Sequence, residues 1–130
     1  MILDTTFLHD LMYGDAGAIE TAERIEATDR PRRLSAMSVY ELYYGVGYTD
    51  QPDEERRKVE DVIGSLPVVP ADDVVMRRAG RIDGTLERGG TKTGQSDLVI
   101  GATALVLDEP VLTRNVTDFE RIPGVAVESY

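Results

Sequence analysis

The chain contains no cysteine, a single histidine, and only Lys58 and Lys92 as lysines. The absence of cysteine removes any disulfide framework, thiolate nucleophile or zinc–sulfur site. With His9 alone there is no histidine pair for a zinc hydrolase, and little to build a Ser-His-Asp arrangement from. Oxygen ligands remain, and they favour magnesium or manganese. Long apolar runs are missing too. The longest, Leu98 to Leu107, is too short to span a bilayer. The opening Met1-Ile2-Leu3-Asp4 has neither the basic lead nor the small-residue cleavage site of a signal peptide, so a cytoplasmic location is expected.

Acidic residues dominate what is present. Twenty-four Asp and Glu against 14 Lys and Arg give a formal net charge of −10. Such a surface does not attract nucleic acid at long range, because phosphates are drawn to lysine and arginine. Abundant aspartate with scarce lysine fits a salt-rich cytoplasm that screens self-repulsion, or equally a merely acidic protein with arginine-biased coding. At 130 residues the chain is one domain, residues 1–130, long enough for a sizeable core.

Short apolar segments alternate with helical patterns. Strands are expected at Met1–Leu3, Leu34–Met37, Pro67–Pro70, Val111–Thr113 and Val125–Val127. Helices are expected over 5–13, 16–27, 38–48, 52–66, 72–88 and 96–107, with one turn near 115–120. Gly14-Asp15 breaks the first two helices, Pro52 opens the fourth, and Gly89-Gly90 ends the fifth. This alternation predicts an α/β fold with a parallel sheet covered on both faces. In such sheets, sites form beyond the C-terminal strand ends.

Four carboxylates stand at the junctions: Asp4 after the first strand, Glu41 in Ser38-Val39-Tyr40-Glu41, Asp97 at the start of the apolar helix, and Asp118 after Thr113-Arg114-Asn115. Each has a local explanation. Asp4 suits a helix cap. Ser38-x-x-Glu41 has the spacing of a capping box, and Asn115-x-x-Asp118 a weaker version of it. Asp97 resists that reading, because Ser96 is the better cap and leaves it free. Gathered on one sheet edge, the four would repel one another. Two like charges ~4 Å apart cost about 4 kcal/mol at an effective dielectric near 20. A hard divalent cation between them would offset that repulsion and suit phosphodiester chemistry. Tyr40, Tyr43, Tyr44 and Tyr48 recur at helical spacing and are expected in core and subunit packing. Arg77, Arg78, Arg81, Arg88, Lys92 and Arg114 are the local positive charges that could hold a phosphate backbone near the cleft, with Arg114, flanked by Thr113 and Asn115, and then Lys92 the first candidates.

Taken together, Ile2-Leu3-Asp4-Thr5-Thr6, Ser38-x-x-Glu41, Ser96-Asp97-x-x-Ile100-Gly101-Ala102-Thr103-Ala104 and Thr113-Arg114-Asn115-x-x-Asp118-Phe119 resemble the PIN-domain family, and within it the VapC-type toxin ribonucleases. The order and spacing run over nearly the whole chain. The resemblance implies a five-stranded parallel sheet in the order 3-2-1-4-5 and cleavage of RNA with Mg²⁺ or Mn²⁺. It implies that Asp4, Glu41, Asp97 and Asp118 form the acidic metal-binding and catalytic quartet, with Thr113 and Asn115 beside it. Products with a 3′-hydroxyl and a 5′-phosphate, a homodimer, and inhibition by a VapB-like antitoxin follow from the same resemblance. Two other readings stand beside it: a catalytically silent PIN-like binding module, and a receiver-like signalling domain, which would want a lysine near its last strand.

Overall fold

The computed structural model describes residues 1–130. Its elements run β1 (Ile2–Leu3), α1 (Thr5–Met12), α2 (Ala16–Glu26), β2 (Leu34–Ser35), α3 (Ala36–Tyr48), α4 (Pro52–Ile63), β3 (Val68–Val69), α5 (Asp73–Arg88), α6 (Gln95–Leu107), β4 (Val111–Leu112), α7 (Val116–Glu120) and β5 (Val127–Glu128). All strand pairs are parallel. β1 pairs with β4 and β4 with β5, while β2 pairs with β3. A parallel bridge between Ile2 and Arg33 joins the two groups, with Leu3 N donating to Arg33 O at 2.8 Å. The expected order 3-2-1-4-5 is therefore the order observed.

Side chains alternate across each strand, so a strand buried on both faces feeds two cores. Leu3 and Leu112 enter one, with Phe7, Leu8, Ile25, Leu34 and Val59 of the α1, α2 and α4 side. Ile2 and Val111 enter the other, with Leu98, Ile100, Phe119 and Ile122. Each fully buried aliphatic side chain there contributes roughly 1.5–3 kcal/mol of transfer free energy. α6 is apolar almost all round because it is enclosed: α5 packs along one flank and the sheet lies on the other. No helix is long and apolar enough to cross a membrane.

The breaks fall where local chemistry places them. Gly14 adopts φ +75, a conformation other residues rarely take, and Asp15 then caps α2 by accepting from Ala18 N. Pro52 occupies the first turn of α4, ahead of Asp53, Glu54 and Glu55.

Two helix starts differ from expectation. β2 stops at Ser35, whose hydroxyl caps α3 by accepting from Met37 N at 3.1 Å. Ser38 is thus a buried residue one turn inside the helix, and it forms no capping box with Glu41. α6 begins after Gly94, which has no side chain to cap with, and Ser96 lies inside its first turn. The tyrosines differ as well. Tyr40, Tyr44 and Tyr48 project into solvent and contribute nothing to the core, with Tyr44 and Tyr48 stacked on each other.

Candidate metal and active site

The C-terminal ends of β1, β2 and β4 converge on one edge of the sheet. Asp4 directly follows β1. Its backbone N–H donates to Leu112 O across the sheet, which fixes the carboxylate at that edge. One oxygen, Oδ1, accepts from Thr5 N at 2.8 Å and caps α1. The other, Oδ2, accepts from the Thr113 hydroxyl at 2.7 Å. The cap and the site are therefore served by different oxygens of one side chain. Burial pushes the Asp4 carboxyl above its ordinary value, against the pull of hydrogen bonds from Thr113, Thr6 and the Thr5 backbone, and Glu41 adds to the rise.

Thr113 is completely buried at the end of β4. Besides donating to Asp4, its oxygen accepts from Asn115 N at 2.9 Å, which turns the chain into α7. The Asn115 side chain donates through Nδ2 to the Thr6 hydroxyl at 3.1 Å. The β4–α7 loop is thus tied at two points to the start of α1. On the other side, the Thr5 hydroxyl lies 2.8 Å from both Glu41 Oε1 and Ser38 Oγ. A hydroxyl has one hydrogen, so Thr5 donates it to the carboxylate and accepts from Ser38. Local pattern gives Thr5 and Thr6 only the chemistry of cap residues beside Asp4, and gives Ser38 a capping box. Their positioning role was legible only in the run of hydroxyls directly after Asp4.

Asp97 sits in the first turn of α6. Its carboxyl is pushed up to about 6, first by burial and then by the negative charges of Asp4, Asp118 and Glu41, with no hydrogen bond to offset them. That one group therefore feels the other three carboxylates, and the four share one electrostatic neighbourhood. Asp118, in α7, also pairs with Arg121 at 3.3 Å.

As the side chains stand, no three carboxylates are placed to hold one ion together. Glu41 is held by its hydrogen bond from Thr5, next to Asp4, and Asp118 by its ion pair with Arg121. The donor set is nonetheless that of a hard cation: carboxylate and hydroxyl oxygens, without sulfur or imidazole. Arg114 and Lys92 differ from each other. Arg114 ion-pairs with Asp10 and Asp15 and lies over the Tyr130 ring, so its charge is already matched. Lys92 is exposed in the loop leading to α6 and forms no ion pair.

A family model described as PIN domain matches residues 1–125. The chain belongs to the PIN-domain family. A curated relative of this PIN domain, the tRNA(fMet)-specific endonuclease VapC of Salmonella typhimurium, is 32% identical over 108 residues, 83% of this chain and 82% of the relative. Ribonuclease VapC10 of Mycobacterium tuberculosis is 36% identical over 91 residues, 70% of this chain and 65% of the relative. Among solved structures, DNA-bound VapBC from Salmonella typhimurium aligns with a TM-score of 0.89 at 30% identity, over 98% of this chain and 96% of that one. VapBC2 from Rickettsia felis, bound to a promoter DNA fragment, aligns at 0.90 with 22% identity, over 99% and 97%, and so speaks for the fold. These similarities place this PIN domain with the VapC ribonucleases and set the receiver-like reading aside.

Proposed function

We propose that this PIN domain is a Mg²⁺- or Mn²⁺-dependent endoribonuclease and the toxin of a toxin–antitoxin pair. The observation that carries the reading is the gathering of carboxylates at the sheet edge, where Thr113 holds Asp4, the adjacent Thr5 holds Glu41, and burial with the charges of Asp4, Asp118 and Glu41 raises the Asp97 carboxyl. A neighbourhood that penalises its own negative charge favours a divalent cation. The relatives named ribonuclease VapC supply the substrate class.

Asp4, Glu41, Asp97 and Asp118 would hold the ion. It would lower the pKa of a bound water and neutralise charge developing at the phosphate. The protein's own part is positional. Thr113 fixes the Asp4 carboxylate, and Asn115 fixes Thr113 and Thr6. Thr5 keeps Glu41 facing the cleft until that carboxylate is recruited. Water adds to phosphorus and the 3′ oxygen leaves with a proton, giving a 3′-hydroxyl and a 5′-phosphate. No protein nucleophile is required. A VapB-like antitoxin belongs to the same proposal, supported by the VapBC complexes among the structural neighbours, and a homodimer and a cytoplasmic location are proposed with it.

The test is cleavage-site mapping on total RNA with chelator and with Mg²⁺ restored. Discrete 5′-phosphate ends that vanish with chelator are expected. Cleavage that persists in chelator would overturn the metal-dependent reading.

A further inference from the structure

One flank of α5 carries positive charge that nothing in the protein neutralises. Arg78, Arg81 and Arg88 fall at helical spacings of three and seven with Thr85 between them, so they share a stripe roughly 15 Å long. Asp83 and Glu87 lie on the opposite flank, and Val75 and Ala79 are buried against the core. Lys92, exposed in the loop after the helix, is also unpaired. Elsewhere in the chain, every basic side chain except Arg24 and Arg57 sits in an ion pair. In a protein of net charge −10, four unpaired cations in one run are a local reversal of sign.

The stripe borders a groove of about 440 Å³ with Ile82, Leu86, Leu105 and Pro123 in its lining and Arg78, Arg81 and Thr85 beside them. The groove's Leu105 and Pro123 lie toward the strand starts, whereas the first turns of α5, where Val75 packs with Met37 and Ala71, lie toward the carboxylate edge. The loop from Gly89 runs through Lys92 to Gly94, where a side-chain carbon would lie 3.8 Å from Asp97 Oδ2. In that loop Thr93 keeps a buried hydroxyl oxygen with no protein partner. Cationic rim and apolar floor match a strand with charged phosphates and flat bases.

We propose that this flank of α5 is the track for the RNA backbone, along which Arg78, Arg81, Arg88 and Lys92 hold phosphates on one side of the scissile bond. The proposal rests on the ribonuclease reading above and adds where the polyanion lies on an acidic protein. It also assigns the carboxylate edge and the binding surface to different parts of the molecule. The first repels phosphate until a cation is bound, whereas the second attracts it.

The probe is an unstructured 20-nucleotide RNA, with the double variant Arg78→Ala/Arg81→Ala compared with Arg24→Ala/Arg57→Ala, which changes net charge equally at the other unpaired arginines. Binding is measured across a salt series in chelator, and cleavage in Mg²⁺. Losing two phosphate contacts should weaken binding roughly tenfold near 0.15 M salt and make the log–log salt slope shallower by about 1.4. KM should rise with kcat held, while the Arg24/Arg57 variant tracks wild type. Equal effects in both double variants, or none in either, would overturn the track while leaving the cleavage reading intact. Weakened binding of an antitoxin, with RNA affinity unchanged, would assign the flank to a protein partner instead and also overturn it. A wild type that cleaves no RNA would remove the ribonuclease reading itself.

Discussion

The Thr113 hydroxyl donates to Asp4 Oδ2 at 2.7 Å, across 109 residues of chain. The bond joins the ends of two neighbouring parallel strands and orients the most buried carboxylate of the candidate site. Thr113→Val keeps the shape and removes the donor. It also leaves Asn115 N without its acceptor. We expect a loss of about 1–3 kcal/mol in urea unfolding, the range for a buried hydrogen bond to a charged group. RNA cleavage should fall further than stability accounts for at saturating protein. Activity unchanged in a destabilised variant would reduce Thr113 to a scaffold residue.

Asp97 gives a pH prediction with a definite sign. Its carboxyl rises from the ordinary 3.8 to about 6 in the folded protein. Between those values the folded state binds more protons than the unfolded chain, so metal-free stability falls as pH rises through that window and levels off above it. The group is only part buried, and allowing for solvent screening the change is on the order of 1 kcal/mol. Asp97→Asn should flatten this dependence and make the metal-free protein slightly more stable at pH 7, while abolishing cleavage. Chemical denaturation at pH 4, 5, 6 and 7 measures the first effect. A variant with the wild-type pH profile would remove Asp97 from the carboxylate cluster.

Much of this was legible in the sequence. The apolar segments Met1–Leu3 and Val111–Thr113 mark the strands, in which Ile2 and Leu3 pair with Val111 and Leu112, and the alternation with helices specified a parallel sheet. The helix starts were harder, because Ser35 and Ser38 are chemically equivalent caps one turn apart. Only the point where β2 leaves the sheet decides between them, and that depends on pairing with Val69, distant in sequence. The same limit hid Gly94 behind Ser96. The tyrosines of α3 were not core residues, because helical spacing reports a shared face without saying whether it turns inward or, as subunit packing requires, outward. The role of Thr5 toward Glu41 depends on a contact between α1 and α3 that local pattern does not contain.

Arg114 bridges from the β4–α7 loop to Asp10 of α1 and Asp15 at the start of α2. These are exposed pairs, so their contribution should be small and screened by salt. Arg114→Gln is expected to lower the thermal midpoint at low ionic strength, with the difference shrinking in 1 M NaCl. A difference that grows with salt would point to lost packing on Tyr130 rather than lost charge.

Gly101 reports on the fit of α6 against the β5 side. An added side-chain carbon would lie 2.7 Å from Ile122 Cδ1 and 3.5 Å from Val125 Cγ2. Gly101→Val should therefore destabilise by about 1–3 kcal/mol through overpacking. Gly101→Ala should cost less, because the tip of Ile122 can move and alanine favours helix. Urea unfolding of the pair measures this. A valine variant as stable as wild type would show that the helix seats more loosely than the structure has it.

The central claim is that separated acidic side chains share one hard cation. Mn²⁺ titration at pH 7.5, followed by electron paramagnetic resonance, tests it most directly with wild type and Asp97→Asn side by side. Saturable binding by wild type, lost or much weakened in the variant, is the predicted result. Equal binding by both proteins, or none by wild type, would contradict the account.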